Sequence, residues 1–381
     1  MLPVVVIAIQ GADVTESERA RGSRRWPPWM VLVAVLVVGG CTTGSGSSSA
    51  TSTASGNSGA GSGNATVSAC AVTPVANEVI PSVVTIAAHG PNGSGTGSGE
   101  VIRSDGYILT NNHVISIAAA SGGSVEVQFS DGQVESATIT GRDPQTDLAV
   151  LKVQTSRQLK VIALGSSSSV QVGEPVVAIG APLGLSGTVT SGIVSALNRT
   201  VQVPGDNDGT ALLVSAVQTD ASINPGNSGG ALVDCEGKLV GVPTAGATVP
   251  SPSGESGGGS IGLGFAIPVD LAKSIADEII ATGRVTHAFF GVQTTPIPPA
   301  AAAQAGVPEG LFVQAVSPGG PAATAGLRPD DVITTINGEP ATSNIQLEEL
   351  TLTKKPGDTV SIGYNRAGHS AKATVTLAAQ P

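Results

Sequence analysis

One stretch of the chain could carry out a reaction: Thr219-Asp220-Ala221-Ser222-Ile223-Asn224-Pro225-Gly226-Asn227-Ser228-Gly229-Gly230. Glycines on both sides of Ser228 let the backbone fold tightly round an exposed hydroxyl. Neighbouring N–H groups can then converge on one point, as donors about 3 Å from a developing oxyanion must. A serine hydroxyl is a weak nucleophile by itself and needs a base and an orienting carboxylate. The chain has only four histidines. His113 lies in Thr110-Asn111-Asn112-His113-Val114-Ile115, at a strand end where a short helical turn can start. Asp147 lies in Thr146-Asp147-Leu148-Ala149-Val150, at the mouth of a strand. The chemistry this set suits is acyl transfer.

The elements around these residues read as short strands rich in Val, Ile and Thr, punctuated by Gly, Asp, Asn and Ser. They are 82–88, 100–103, 107–110, 124–129, 135–140, 148–153, 175–179, 188–197, 212–219, 231–233, 239–243 and 261–267. Many short strands without alternating helices predict β-barrels or sandwiches and argue against a parallel α/β sheet. Gly226–Gly230 also satisfies Gly-x-Ser-x-Gly, the nucleophile elbow, but that motif needs a helix directly after the serine. Here Ala231-Leu232-Val233 runs into a turn and another strand. A helix follows later, opened by Pro268, with Leu271, Ile275 and Ile279 on one face and Gly283 as its stop. A new unit starts at Val285. It has an alternating strand at Leu311, Val313 and Ala315, a turn and short helix at 318–326, and a hairpin signal at Asn337-Gly338 after the strand 332–336.

Composition sets the outer limits. The chain has 381 residues, 40% hydrophobic and 12% charged, with a net charge of −10. That supports two or three domains with real cores and excludes a highly charged disordered chain. The negative balance argues against a nucleic-acid partner. No cluster has metal-ligand spacing and no phosphate loop is present, so no metal or cofactor is expected. Residues 1–40 carry Arg19, Arg21, Arg24 and Arg25, then an apolar run from Met30 to Val38 too short to span a bilayer as a helix. This predicts export. Val38-Gly39-Gly40-Cys41 resembles a lipobox, so Cys41 is either a lipidation site or incidental to an uncleaved signal anchor. Residues 42–68 contain no charged or aromatic side chain. They read as a flexible tether with an r.m.s. span of roughly 30 Å. Cys70 and Cys235 remain, as a disulfide in an oxidising compartment or as two free thiols.

Residues 78–283 resemble the protease domain of the HtrA/Deg serine proteases, and 285–377 resemble the PDZ domain that follows it. The motifs are Thr110–Val114, Thr146–Val150, Thr219–Gly230 and Gly262-Leu263-Gly264-Phe265-Ala266-Ile267-Pro268. The order His113, Asp147, Ser228 matches the chymotrypsin-type arrangement. The resemblance implies a mainly β chain: a chymotrypsin-like double β-barrel at 69–283 and a PDZ domain at 285–378, preceded by a signal segment (1–40) and the tether (41–68). It implies an oxyanion hole from Gly226, Asn227 and Ser228, and a substrate site from Ser222, Ile223, Leu263, Gly264, Phe265 and Ala266. Ser222 falls where this fold places the base of the S1 pocket. It carries no charge, so small aliphatic P1 residues such as Val or Ala are expected. Phe289-Phe290-Gly291-Val292 resembles the PDZ carboxylate-binding loop, with Ile345–Leu352 as the flanking helix. The alternative for the two phenylalanines is core packing.

The same resemblance implies an exported endopeptidase, tethered by lipid or anchor at the outer face of the cytoplasmic membrane or in the periplasm. It would act on misfolded or unfolded envelope proteins and bind peptide C-termini through its PDZ domain. The rival readings are a non-catalytic chaperone or scaffold and an exported esterase with the same triad. Four departures stand out. Family trimers use aromatic residues near the start of the protease domain, and none occurs between Ala69 and Gly106, so a homo-oligomer would need other contacts. Pro243 is expected to break its strand or put it at an edge. Asp330 replaces the usual Gly before Asp331 and is expected to strain that turn. Asn227 replaces the Asp of trypsin-like zymogens, so activation by N-terminal cleavage is not expected.

Overall fold

The computed structural model describes residues 70–181, 187–206, 209–246 and 260–381. The leader, Cys41, the tether and most of the Gly/Ser loop at 250–260 lie outside them. The first barrel is closed in the order β1-β2-β3-β6-β5-β4. Its strands are β1 (Val83–Gly90), β2 (Gly93–Val101), β3 (Tyr107–Asn111), β4 (Ser124–Gln128), β5 (Val134–Asp143) and β6 (Leu148–Val153). Ile86, Ile108, Val127, Leu151 and Val153 fill its interior. The alternate residues of β3 and β6, Leu109, Leu148 and Val150, point outward into a second apolar cluster. With both faces buried, these strands read as near-continuous apolar runs.

The second barrel uses β8 (Pro175–Gly180), β9 (Thr188–Pro204), β10 (Thr210–Thr219), β13 (Gly264–Pro268), β12 (Lys238–Gly246) and β11 (Ala231–Val233), closed by the β11–β12 pairing. The short β7 (Ala163–Leu164) adds in parallel to β12. Helix α3 (Val269–Thr282) covers the side where the barrels meet and inserts Ala272, Ile275, Ala276 and Ile279 among Leu148, Val150 and Leu213. Gly283 stops α3 in a left-handed conformation, φ 79°, and donates its N–H to the Ile279 carbonyl, as a glycine past a helix end does.

The structure departs from the sequence reading in three places. The Gly-rich run from Gly93 to Gly99 is strand, paired residue for residue with β1. Its glycines are there for space: a Cβ on Gly97 would sit 2.6 Å from Val114 Cγ2, and one on Gly99 2.8 Å from both Ile86 and Ile108. Helix α1 (Val72–Val79) has no strong sequence signal, and packs Val75 and Val79 against Val177 and Val233 of the second barrel. Pro243 neither ends its strand nor lies at an edge. β12 runs through it between β11 and β13, with a register shift between Pro243 and Ala245. A bulge is one of the few places a sheet tolerates proline.

The second unit is a six-stranded sheet with helices. The strands are β15 (Val292–Ile297), β16 (Gly310–Val316), β17 (Val332–Ile336), β18 (Glu339–Pro340), β19 (Thr359–Arg366) and β20 (His369–Thr376), with β15 at one end of the order. β14 (Ala288–Phe289) pairs with β21 (Ala378–Ala379). Its remaining helices are α4 (Pro299–Ala305), α5 (Pro321–Thr324) and α6 (Ile345–Thr353). Asn337 and Gly338 both have positive φ, as the tight hairpin turn between β17 and β18 requires. Asp330 is held at φ 70°, a left-handed conformation that costs a residue with a Cβ. Leu352 and Ile345 of α6 pack on Leu212, Val214 and Leu271 of the protease-like unit.

Cys70 and Cys235 are joined by a disulfide across 165 residues, with Cα atoms 5.2 Å apart. It fastens the chain just before α1 to the turn after β11. A cross-link closing so long a loop restricts the unfolded chain strongly. Replacing both cysteines by serine is expected to lower stability by about 2–5 kcal/mol in chemical denaturation, and reductant should destabilise the parent chain but not the variant.

Glu100 is an internal acid. On β2 it faces out of the first barrel, is 0% exposed, and among the described residues has no hydrogen-bond partner on either carboxylate oxygen. Burial pushes its carboxyl well above the usual carboxylate range, offset only in part by its own backbone N–H. The folded chain therefore holds a proton that the unfolded chain releases, and stability falls as pH rises from the ordinary carboxylate range through the raised value. Glu100→Gln is expected to flatten that fall, gaining most over the parent at alkaline pH and little near pH 4 in thermal melts.

Candidate active site

The triad residues come from different barrels. His113 is in α2 (Asn112–Ile115), directly after β3, and Asp147 immediately precedes β6. β3 and β6 are paired, Asn111 opposite Leu148, which brings the two together. Asp147 is 2% exposed and sits at φ 58°. That bend is held by its carbonyl, which accepts from the Asn112 N–H (3.1 Å) and from Asn111 Nδ2 (2.8 Å). The carboxylate meets His113 twice: the backbone N–H donates to Oδ1 at 2.9 Å, and ring Nδ1 lies 2.7 Å from Oδ2. With a proton on Nδ1 facing the acid, Nε2 keeps its lone pair, and the imidazole is about two-fifths exposed. This is the tautomer a general base needs.

Ser228 lies in the turn between β10 and β11. The turn is closed by the Asn227 N–H on the Asn224 carbonyl and the Gly230 N–H on the Asn227 carbonyl, at 2.9 and 3.0 Å. Gly226 (φ 99°) and Gly229 (φ 78°) adopt conformations that disfavour side chains. At Gly229 there is also no room: a Cβ would lie 2.3 Å from the Ser98 carbonyl and 2.4 Å from Thr110 Oγ1. The N–H groups of Gly226 and Ser228 donate to nothing among the described residues, so both are free to meet an oxyanion. Ser228 Oγ donates to the Thr244 carbonyl at 3.2 Å. Among the described residues no hydrogen bond joins Ser228 to His113.

Sequence reasoning missed the groups that hold this turn in place. Ser98 on β2 accepts from the Ala181 N–H (2.8 Å), donates Oγ–H to the Gly226 carbonyl (2.7 Å), and gives its N–H to the Ser228 carbonyl (2.9 Å). Asn111, inside a recognised motif, links the Asp147 loop to Thr244 through Nδ2. Asp143, four residues before Asp147, accepts from Thr146 Oγ1 and from the Gln145 N–H, and lies 2.9 Å from buried His287 Nε2. The only sequence signal was the presence of polar residues beside the motifs.

The remaining candidates divide. The Ser222 carbonyl accepts from Thr190 Oγ1 and Asn227 Nδ2, beside the nucleophile turn. Ile223 is packed into the second barrel with Val194, Val217 and Ala266. Gly264 lies against it, where a Cβ would approach Ile223 Cγ1 to 2.5 Å. Leu263 is partly exposed, whereas Phe265 turns to the opposite face of β13 and packs toward α3. The Phe265 side chain therefore does not share the face of Gly264 and Ala266. In the second unit Phe290 is core and Phe289 is half-buried. The Phe290 and Gly291 carbonyls accept from the N–H groups of Ala322 and Ser317. Their own N–H groups have no partner among the described residues.

A trypsin-like peptidase domain model matches residues 97–242 and a PDZ domain model matches 288–377. The HtrA-type protease AlgW, solved with a decapeptide, superimposes with a TM-score of 0.65 at 34% identity, covering 81% of this chain and 99% of that one. The chain belongs to the HtrA family of serine proteases. Among curated HtrA relatives, serine protease PepD of Mycobacterium tuberculosis is 45% identical over 81% of this chain and 66% of its own length. The periplasmic pH-dependent serine endoprotease DegQ of Escherichia coli is 41% identical over 74% and 59%. The chain thus spans between about half and two-thirds of the length of the curated HtrA proteins it matches.

If Asp147 sets the His113 tautomer, Asp147→Asn should leave the fold intact and lower kcat on a peptide substrate by a factor on the order of 10⁴, with KM little changed. An unchanged kcat would remove Asp147 from the reaction.

Proposed function

We propose that this chain is a serine endopeptidase exported to the cell envelope, with a PDZ domain that captures peptide C-termini. The observation that carries the reading is the buried Asp147 carboxylate, 2.7 Å from His113 Nδ1, together with the N–H groups of Gly226 and Ser228, which donate to nothing among the described residues. In the reaction, Ser228 Oγ leaves the Thr244 carbonyl, gives its proton to His113 Nε2 and attacks the scissile carbonyl. The Gly226 and Ser228 N–H groups take up the oxyanion, and His113 returns the proton to the leaving amine. Asp147 stabilises the imidazolium formed between these steps. The roles of Ser222, Leu263, Gly264 and Ala266 in a small uncharged S1 site follow from the same reading.

Substrates are unfolded or misfolded envelope proteins. An extended chain suits a cleft between two barrels, and two of the relatives are named periplasmic endoproteases. The signal-like leader, Cys41 lipidation and the tether complete the proposal. Among the described residues no helix is long and apolar enough to cross a membrane. The PDZ-only scaffold and the esterase remain the competitors. Ser228→Ala should cut casein hydrolysis by at least about 10⁴-fold while C-terminal peptides still bind. Undiminished hydrolysis would sink the mechanism, and acyl-ester turnover without casein cleavage would favour the esterase.

A further inference from the structure

The PDZ-like unit carries a built-in competitor for its own peptide groove, an inference that rests on the reading that this unit captures peptide C-termini. β15 is at the end of its sheet, and among the described residues its outer edge pairs with no strand. Such an edge accepts an added strand through its outward N–H and C=O groups. Which groups face outward follows from the register. Thr294 pairs with Val313. Val313 spends its N–H on the Asp331 carbonyl and its carbonyl on the Asp330 N–H, both on the far side. Opposite residues whose groups point apart form the non-hydrogen-bonded pair of an antiparallel ladder. Thr294 therefore turns its N–H and carbonyl to the open edge, as do Val292 and Pro296, two residues either way.

A peptide whose carboxylate rests on the Phe290 and Gly291 N–H groups would run antiparallel to β15. Its last residue would face Val292, its third-last Thr294 and its fifth-last Pro296. At Thr294 the acceptor is taken. Asn344, just before α6, donates Nδ2–H to the Thr294 carbonyl at 2.9 Å, and Thr294 Oγ1 donates back to Asn344 Oδ1 at 2.7 Å. At Pro296 there is no N–H to offer. Asn344 is not free to drift, because Ile345 and Leu352 of α6 are packed against Leu212, Val214 and Leu271 of the protease unit.

We propose that Asn344 is a clasp on the peptide groove: it competes with the third-last residue of a bound peptide for the Thr294 carbonyl, and with Pro296 it restricts recognition to the last three residues. Weak capture of single C-termini and indifference to upstream sequence follow from it.

The test uses the full chain with Ser228→Ala, to prevent cleavage. Fluorescein-labelled peptides of three and eight residues, ending in the same three apolar residues with a free carboxylate, are titrated by anisotropy. The parent should bind both lengths with affinities within about twofold. Asn344→Asp, which keeps the size but loses the amide donor, should tighten both by about fivefold, the worth of one net hydrogen bond. Thr294→Val, which removes the hydroxyl that orients Asn344, should shift affinity the same way. Unchanged or weaker binding in both variants, with the parent binding normally, overturns the clasp alone. A much tighter octapeptide on the parent overturns the three-residue limit. Binding by no variant, or equal binding of a C-terminally amidated peptide, overturns C-terminal capture and the clasp with it.

Discussion

The seam between the two barrels governs everything at the candidate site. His113 and Asp147 belong to the first barrel and Ser228 to the second, so their chemistry depends on how the barrels are registered. The tie is Ser98. Its hydroxyl and backbone N–H engage the carbonyls of Gly226 and Ser228, 128 and 130 residues away, and the Ala181 N–H completes its set. A side chain at Gly229 would collide with the Ser98 carbonyl, so the nucleophile turn and β2 can approach this closely only through glycine. The Gly226–Ser228 backbone is therefore positioned by a strand of the other barrel as much as by its own turn.

Polar groups buried along this seam are satisfied unevenly. Asp143 gathers donors from Thr146 and Gln145 and lies against His287, which belongs to the segment leading into the PDZ-like unit. That contact joins the loop before Asp147 to the second unit. Glu100, two residues from Ser98 on the same face of β2, has no such partners among the described residues, and burial pushes its carboxyl well above the usual carboxylate range. A charge there would draw in water beside the nucleophile's seat, since an unpaired buried carboxylate is costly.

The protease-like and PDZ-like units share an apolar contact through α6. Movement of α6 would act on β10, the strand that leads to Ser228, and on Asn344 at the peptide groove. Ser228 Oγ donates to the Thr244 carbonyl, and among the described residues no hydrogen bond joins it to His113. The disulfide anchors the opposite side of the second barrel, where the chain enters the fold.

The amino-acid sequence by itself determined which residues could react and in what order they occur. His113, Asp147 and Ser228 stand in local motifs, and Gly226 and Gly229 supply the positive φ that the turn around Ser228 requires. It also determined α3, whose start at Pro268 and stop at Gly283 are local signals, and the Asn337-Gly338 hairpin. Only the tertiary structure decided that Gly93–Gly99 is a strand, because the crowding by Val114, Ile86 and Ile108 that makes glycine necessary comes from other strands. It alone decided that Pro243 sits in a bulge, that Phe265 faces α3, that Ser228 points to Thr244 and that Asn344 holds Thr294. Each of these depends on a partner far along the chain, and the distance between such partners is set by packing, which no local pattern of residues encodes.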